Sequence, residues 1–221
     1  MKRMIIVSLI LCTALLCCGC VQNAPVEDEH GDAPLPQMFY AGNGNASETV
    51  QMDAGLYRFA MTFNGSGPFV FEVGNHDAYD LLAHGEGPYA GTQIFGIYEN
   101  GTYRLNVTAE GAWTVDVRQI PVEAGHSLPF AVNGSGDDVA GWIDLPLGEV
   151  TFDVANDGKS FFAASLYNQT GHPVLDPTGT YLQPVHGHMG AYNGSVPVAI
   201  PAKGPYYLDI VSDGNWSISV S

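Results

Sequence analysis

Gly101-Thr-Tyr103-Arg-Leu105-Asn-Val107, followed after a turn by Gly111-Ala-Trp113-Thr-Val115-Asp-Val117, is the stretch that decides the fold. Tyr103, Leu105 and Val107 alternate with Arg104, Asn106 and Thr108, and Trp113, Val115 and Val117 alternate with Thr114 and Asp116. A period of two sends one set of side chains into a core and the other into water, as in half-buried β-strands. The same line is written again 103 residues later, as Gly204-Pro-Tyr206-Tyr-Leu208-Asp-Ile210 and Gly214-Asn-Trp216-Ser-Ile218-Ser-Val220.

Working outward, the 103-residue offset holds without a gap from Gly87/Gly190 to Val117/Val220, with ten identities in 31 positions. The identities fall on glycines and on strand residues of core phase. Further back the offset becomes 93, pairing Gly55 with Gly148, Phe59 with Phe152, Phe69 with Phe162 and Asn75 with Asn168. The second copy therefore holds ten extra residues, the difference between the offsets, within Gln169 to Met189. Alternation recurs at Tyr57–Phe63 and Phe69–Val73, and turn pairs such as Asn64-Gly65, Asn100-Gly101, Asp157-Gly158 and Asp213-Gly214 separate the strands. Beyond the amino-terminal leader no window carries a helical stripe. The expectation is an all-β chain of two tandem β-sandwich, jelly-roll-like domains made by internal duplication. Repeat 1 covers 48–118, a linker covers 119–135, and repeat 2 covers 136–221.

The repeated signature resembles repeat domains of prokaryotic secreted lipoproteins, which are similar in turn to the small jelly-roll sandwiches appended to secreted hydrolases. The resemblance implies a β-sandwich accessory or surface module and brings no catalytic residue with it.

The amino terminus gives an address. Met1-Lys2-Arg3 precedes an apolar run from Met4 to Leu16, which is shorter than the ~20 residues a membrane-spanning helix needs. Basic start, short apolar centre and small-residue exit make a secretory signal over residues 1–19. The exit, Leu16-Cys17-Cys18-Gly19-Cys20, resembles the lipobox of prokaryotic lipoproteins, although Cys17 stands where the family usually has leucine. The resemblance implies lipidation of Cys20; a plain signal peptide and an uncleaved anchor are the alternatives. Residues 20–47 are rich in Pro, Asp, Glu, Gly and Asn and are expected to form a flexible acidic tether.

All four cysteines lie at or before the expected lipidation site, Cys20, so no disulfide and no thiol nucleophile belongs to the mature domains. Past residue 19 there remain five cations, Arg58, Arg104, Arg118, Lys159 and Lys203, against 23 acidic residues, a formal charge of −18. Such a surface repels phosphates, which argues against a nucleic-acid partner. Eight of the twelve asparagines begin N-x-S/T triplets: Asn45, Asn64, Asn100, Asn106, Asn133, Asn168, Asn193 and Asn215. With Ser and Thr at about a tenth of the chain, chance supplies one or two such triplets, so they read as N-glycosylation sites. A lipobox together with N-glycosylation points to an archaeal surface lipoprotein.

Candidate ligand chemistry concentrates in the second-copy insertion. His186-Gly187-His188 would set two imidazoles on one side of an extended segment, with His172 or Asp176 as further ligands to a divalent metal; a polar loop is the alternative. Tyr181, Tyr207 and Trp142 have no aromatic counterpart in the other copy and are candidate ligand-binding surfaces, whereas Trp113 and Trp216 read as core. No Gly-x-Ser-x-Gly elbow or HExxH motif is present. The functional expectation is a non-catalytic protein on the outer face of the cell membrane, anchored through its lipid, in contact with envelope components or extracellular glycan. The alternative is an extracellular carbohydrate- or metal-binding module using the insertion.

Overall fold

A computed structural model describes residues 35–75 and 78–221 of the chain; the signal, Cys20 and the tether up to residue 34 lie outside the described residues. The first copy is built from β1 (Gln37–Asn43), β2 (Ala46–Met52), β3 (Gly55–Gly74), β4 (Tyr79–Glu86), β5 (Tyr89–Ile97) and β6 (Gly101–Gln119). The second is built from β7 (Phe130–Ser135), β8 (Asp138–Leu145), β9 (Gly148–Asn156), β10 (Phe161–Asn168), β11 (Pro184–Met189), β12 (Tyr192–Ile200), β13 (Gly204–Val211) and β14 (Asn215–Val220). Alternation dictates the faces: along β6, Tyr103, Leu105, Val107, Trp113, Val115 and Val117 are buried, and Thr102, Arg104 and Thr108 are exposed.

In the second copy two four-stranded antiparallel sheets run β11-β10-β13-β8 and β12-β9-β14-β7. The first strand of the copy thus pairs with the eighth and the second with the seventh, which is jelly-roll winding. The first copy has the same order in six strands, because β3 and β6 each serve both sheets. The amino-terminal half of β3 pairs with β5 and its carboxyl-terminal half with β4; β6 pairs with β2 and then with β1. A register shift between Gly65 and Phe69 bends β3 where it changes sheet. At the equivalent places the second copy breaks its strands, between Asn156 and Phe161 and between Val211 and Asn215.

Each sandwich encloses its own apolar cluster. Phe59, Phe69, Phe71 and Val117 lie in one, and Phe152, Phe162, Leu208 and Val220 in the other. The duplication extends to polar detail. The Tyr103 hydroxyl donates to the Glu99 carbonyl (3.1 Å) and that of Tyr206 to the Ala202 carbonyl (2.8 Å), 103 residues apart in both members.

Two boundaries differ from the sequence expectation. Residues 37–43 and 46–47, assigned to the tether, are strand, and β1 pairs along the end of β6 from Gln37↔Arg118 to Asn43↔Ala112. Likewise Phe130–Ser135, assigned to the linker, is β7 on β14, from Phe130↔Val220 to Ser135↔Asn215. The physical reason is the same in both copies. A glycine lies under an indole, Gly42 under Trp113 and Gly134 under Trp216, so the inward alternation Met38-Tyr40 or Phe130-Val132 stops at a residue with no side chain and the apolar run is too short to mark a strand. Trp113 Nε1 then donates to Gly44 O (2.8 Å) and Trp216 Nε1 to Gly136 O (2.9 Å). Gly44 and Gly136 both hold a positive φ, 81° and 72°, which favours glycine.

Candidate functional site

The insertion lies between β10 and β11, and it does not gather its histidines. A bulge between Phe162 and Ala164 interrupts the β10–β11 register opposite His186 and Gly187, so the two imidazoles take different neighbours. His186 packs on Tyr181 (ring centroids 4.7 Å), His188 on Tyr192 (5.2 Å) and His172 on Tyr98 (4.4 Å). Asp176 is committed to its own turn, accepting from Thr178 Oγ1 and from the N–H groups of Thr180 and Tyr181. Those bonds hold its carboxyl down at about 2. Among the described residues no three His, Cys, Asp or Glu side chains converge on a metal position. The predicted His172–Asp176–His186–His188 constellation is therefore not assembled.

Of the aromatic candidates, Tyr181 is exposed, but Trp142 and Tyr207 are not a free surface. Trp142 is 5 % exposed and packs with Leu56 and Ile94 of the first copy. Its Nε1 donates to the Pro121 carbonyl at 2.8 Å, and Tyr207 meets its ring edge-on at 5.1 Å. Tyr207 does point away from the core of its own sandwich, as the alternation predicts; the other sandwich covers it.

At this joint the two copies exchange hydrogen bonds between main chain and side chain. β5 of the first copy runs against β8 and β13 of the second. Thr92 N–H donates to the Asp137 carbonyl (3.0 Å), Ile94 N–H to Asp209 Oδ1 (3.2 Å), and Gln93 Nε2 to the Ile210 carbonyl (3.0 Å). At one end Tyr89 Oη donates to Asp137 Oδ2 (2.8 Å). At the other, His172 stacks on Tyr98 and Gly171 lies on Gly96 so closely that a Cβ at Gly96 would overlap the Gly171 carbonyl. The start of the insertion thus serves as a clamp. Burial pushes the Asp209 carboxyl well above the ordinary carboxylate range, against the Ile94 N–H that favours its charged form. Asp137 is also raised, again chiefly by burial, although the Ser212 N–H, the Tyr89 hydroxyl and the charge of His84 act the other way.

Beside Asp137 the joint opens into a cleft of about 490 Å³ whose lining includes His84, Tyr89, Asp137, Phe161, Met189 and Asp213. Its carboxylates are engaged, Asp137 by Ser212 N–H and Tyr89, Asp213 by the N–H groups of Lys159 and Ser160. Phe161 and Met189, 44 % and 71 % exposed, give it apolar walls.

The eight sequon asparagines all lie outside the cores. Asn45, Asn64, Asn100, Asn133, Asn193 and Asn215 are exposed, and Asn106 and Asn168 are half-buried. The buried asparagine among the described residues, Asn156, is in no sequon and accepts from Ser212 Oγ at 2.7 Å. Four sequon side chains brace the fold through oxygen. Asn45 Oδ1 accepts from Ala109 N–H, Asn100 Oδ1 from Ala54 N–H, Asn106 Oδ1 from Ser47 Oγ, and Asn168 Oδ1 from Thr170 and His172. None of these bonds uses the Nδ2 to which a glycan attaches.

No family model matches the chain, and no curated protein matches it. Among solved structures it is similar to the PBSX exported protein XepA, at 10 % identity over 92 % of this chain and 94 % of that one, with a TM-score of 0.27. It is also similar to the N-terminal CBM22-1-CBM22-2 tandem domain of Paenibacillus barcinonensis Xyn10C, at 10 % identity over 88 % of both chains and a TM-score of 0.26. A Cupin 2 conserved barrel domain protein from Leptotrichia buccalis gives 10 % identity over 88 % and 90 % of the two chains, also with a TM-score of 0.26. The fold assignment follows from the strand order above, not from these likenesses.

The joint carboxylates are absent from the sequence expectation, although a signal for them exists. Asp209 aligns with Asn106 at the 103 offset, and Asp137 aligns with Asn45 once β7 is matched to β1 at an offset of 92. Two Asn-to-Asp exchanges between copies mark the surface where one copy meets the other.

Proposed function

We propose that the chain is a non-catalytic, lipid-anchored and N-glycosylated cell-surface protein with a structural or adhesive role in the envelope. The supporting observation is the placement of the sequons. Eight asparagines spread over both sandwiches leave the cores free of them, and where four of them support the fold they do so through Oδ1. An N-linked glycan replaces one amide hydrogen and leaves the oxygen to accept, so both uses of the side chain coexist. Asn215, whose Nδ2 donates to Asp157 Oδ2 at 3.0 Å, keeps a second hydrogen for that bond.

The reach of the anchor is short. Val21–Pro36, sixteen residues, separate Cys20 from β1, and extended chain covers at most about 3.5 Å per residue. The start of β1 would therefore stand within about 55 Å of the lipid surface, with the sandwiches extending from there. A membrane-impermeant amine reagent applied to intact cells of the source organism should label Lys159 and Lys203, both exposed. Cys20→Ser should move the protein from the membrane fraction to the medium. Labelling that requires lysis, or an unchanged membrane fraction for the Cys20 variant, would count against the reading.

A further inference from the structure

The two copies serve as controls for each other at the joint. In copy 1, Asn45 Oδ1 accepts the Ala109 N–H at 3.0 Å; in copy 2, Asp137 Oδ1 accepts the equivalent Ser212 N–H at 2.9 Å. A neutral amide therefore suffices for that bond. What the carboxylate adds is a second oxygen, Oδ2, which takes the Tyr89 hydroxyl across the joint. Asp209, the counterpart of half-buried Asn106, is likewise turned to the other copy, buried at 8 % exposure and accepting from Ile94 N–H. At both positions an ionisable group stands where the copies meet, and a neutral one stands where the same position faces water.

We propose that docking of the two sandwiches is coupled to proton uptake at Asp209, with Asp137 as a second acid, so that the joint tightens as the medium acidifies and loosens as it becomes alkaline. The charged and titratable groups facing Asp209 are Asp137 from the β7–β8 turn, Tyr89 from β5 and Tyr167 from β10. Those facing Asp137 are Tyr89, His84 from β4, Asp213 from the β13–β14 turn and Asp209 itself. Asp209 thus meets a like charge and two phenols, and Asp137 has His84 as its source of positive charge. Burial in the joint raises both carboxyls, so the docked state holds protons that the undocked state releases. Docking is then fully favourable below the ordinary carboxylate range. It weakens as pH rises from that range through the raised one, by about tenfold per pH unit for one proton.

Trp142 reports the joint, whereas Trp113 and Trp216 lie inside the separate cores. The full chain labelled with 5-fluorotryptophan gives one fluorine resonance for each, assigned for Trp142 by Trp142→Phe. Titrated between about pH 4 and about pH 9, which spans the ordinary carboxylate range and well above it, the Trp142 resonance should move toward its solvent-exposed position as pH rises. Those of Trp113 and Trp216 should hold. In Asp137→Asn/Asp209→Asn, and to a lesser degree in Asp137→Asn alone, the Trp142 resonance should become insensitive to pH. An invariant Trp142 resonance in the unsubstituted chain, movement in the opposite direction, or an undiminished response in Asp137→Asn would each overturn the proposal.

Discussion

Trp113 and Trp216 show how much of this fold hangs on a residue with no side chain. Each indole lies across the edge strand of its sandwich, and the position beneath it must be glycine. A Cβ at Gly42 would stand 2.5 Å from Cζ2 of Trp113, and one at Gly134 would overlap Trp216. Gly42→Ala and Gly134→Ala should each lower unfolding stability by about 1–3 kcal/mol, the usual cost of forced overpacking, as read by denaturant melts. The tryptophans were legible as core in the sequence, since both sit in phase with buried valines. Their partners were not, because glycine leaves no hydrophobic periodicity to detect. The histidines give the converse case. Their spacing is plain in the sequence, but the bulge that parts His186 from His188 is a property of the pairing with β10. His186→Ala and His188→Ala, both at exposed positions, should change stability by less than about 0.5 kcal/mol.

At the scale of elements, the strands were readable wherever one face is wet and the other dry. β3, β6, β9 and β13 announce themselves by alternation and by the turns that bound them. What alternation does not carry is the point at which a strand leaves one sheet for the other, since the inward phase simply resumes beyond the bend at Gly65–Phe69. Nor does it find β1 and β7, half-covered edge strands with only two inward apolar side chains before the glycine, whose pairing depends on β6 and β14, distant in sequence. The insertion between β10 and β11 was correctly placed by the offsets, yet its use was not readable. Val174 enters the second core, and Gly171 and His172 hold the first copy. Gly96→Ala, which drives a methyl into the Gly171 carbonyl, should loosen the joint while both cores stay folded. Hydrogen exchange should show protection lost at the Thr92 and Ile94 amides and kept along β9 and β14.

At the scale of the whole molecule, duplication supplied two sandwiches and divergence fitted one against the other. Trp142, Tyr207, Asp137 and Asp209 belong to that fitting, and their counterparts Thr49, Arg104, Asn45 and Asn106 belong to the copy whose corresponding face stays open. The sequon asparagines lie outside the cores of both copies, which is the arrangement that the proposed surface role requires. The most direct measurement is glycopeptide mass mapping of the protein isolated from its own cells. Glycan is expected on the asparagines of the exposed triplets in both sandwiches, Asn64 and Asn100 in the first and Asn133, Asn193 and Asn215 in the second, with Asn156 unmodified. Unmodified asparagine at every one of the eight triplets would contradict it.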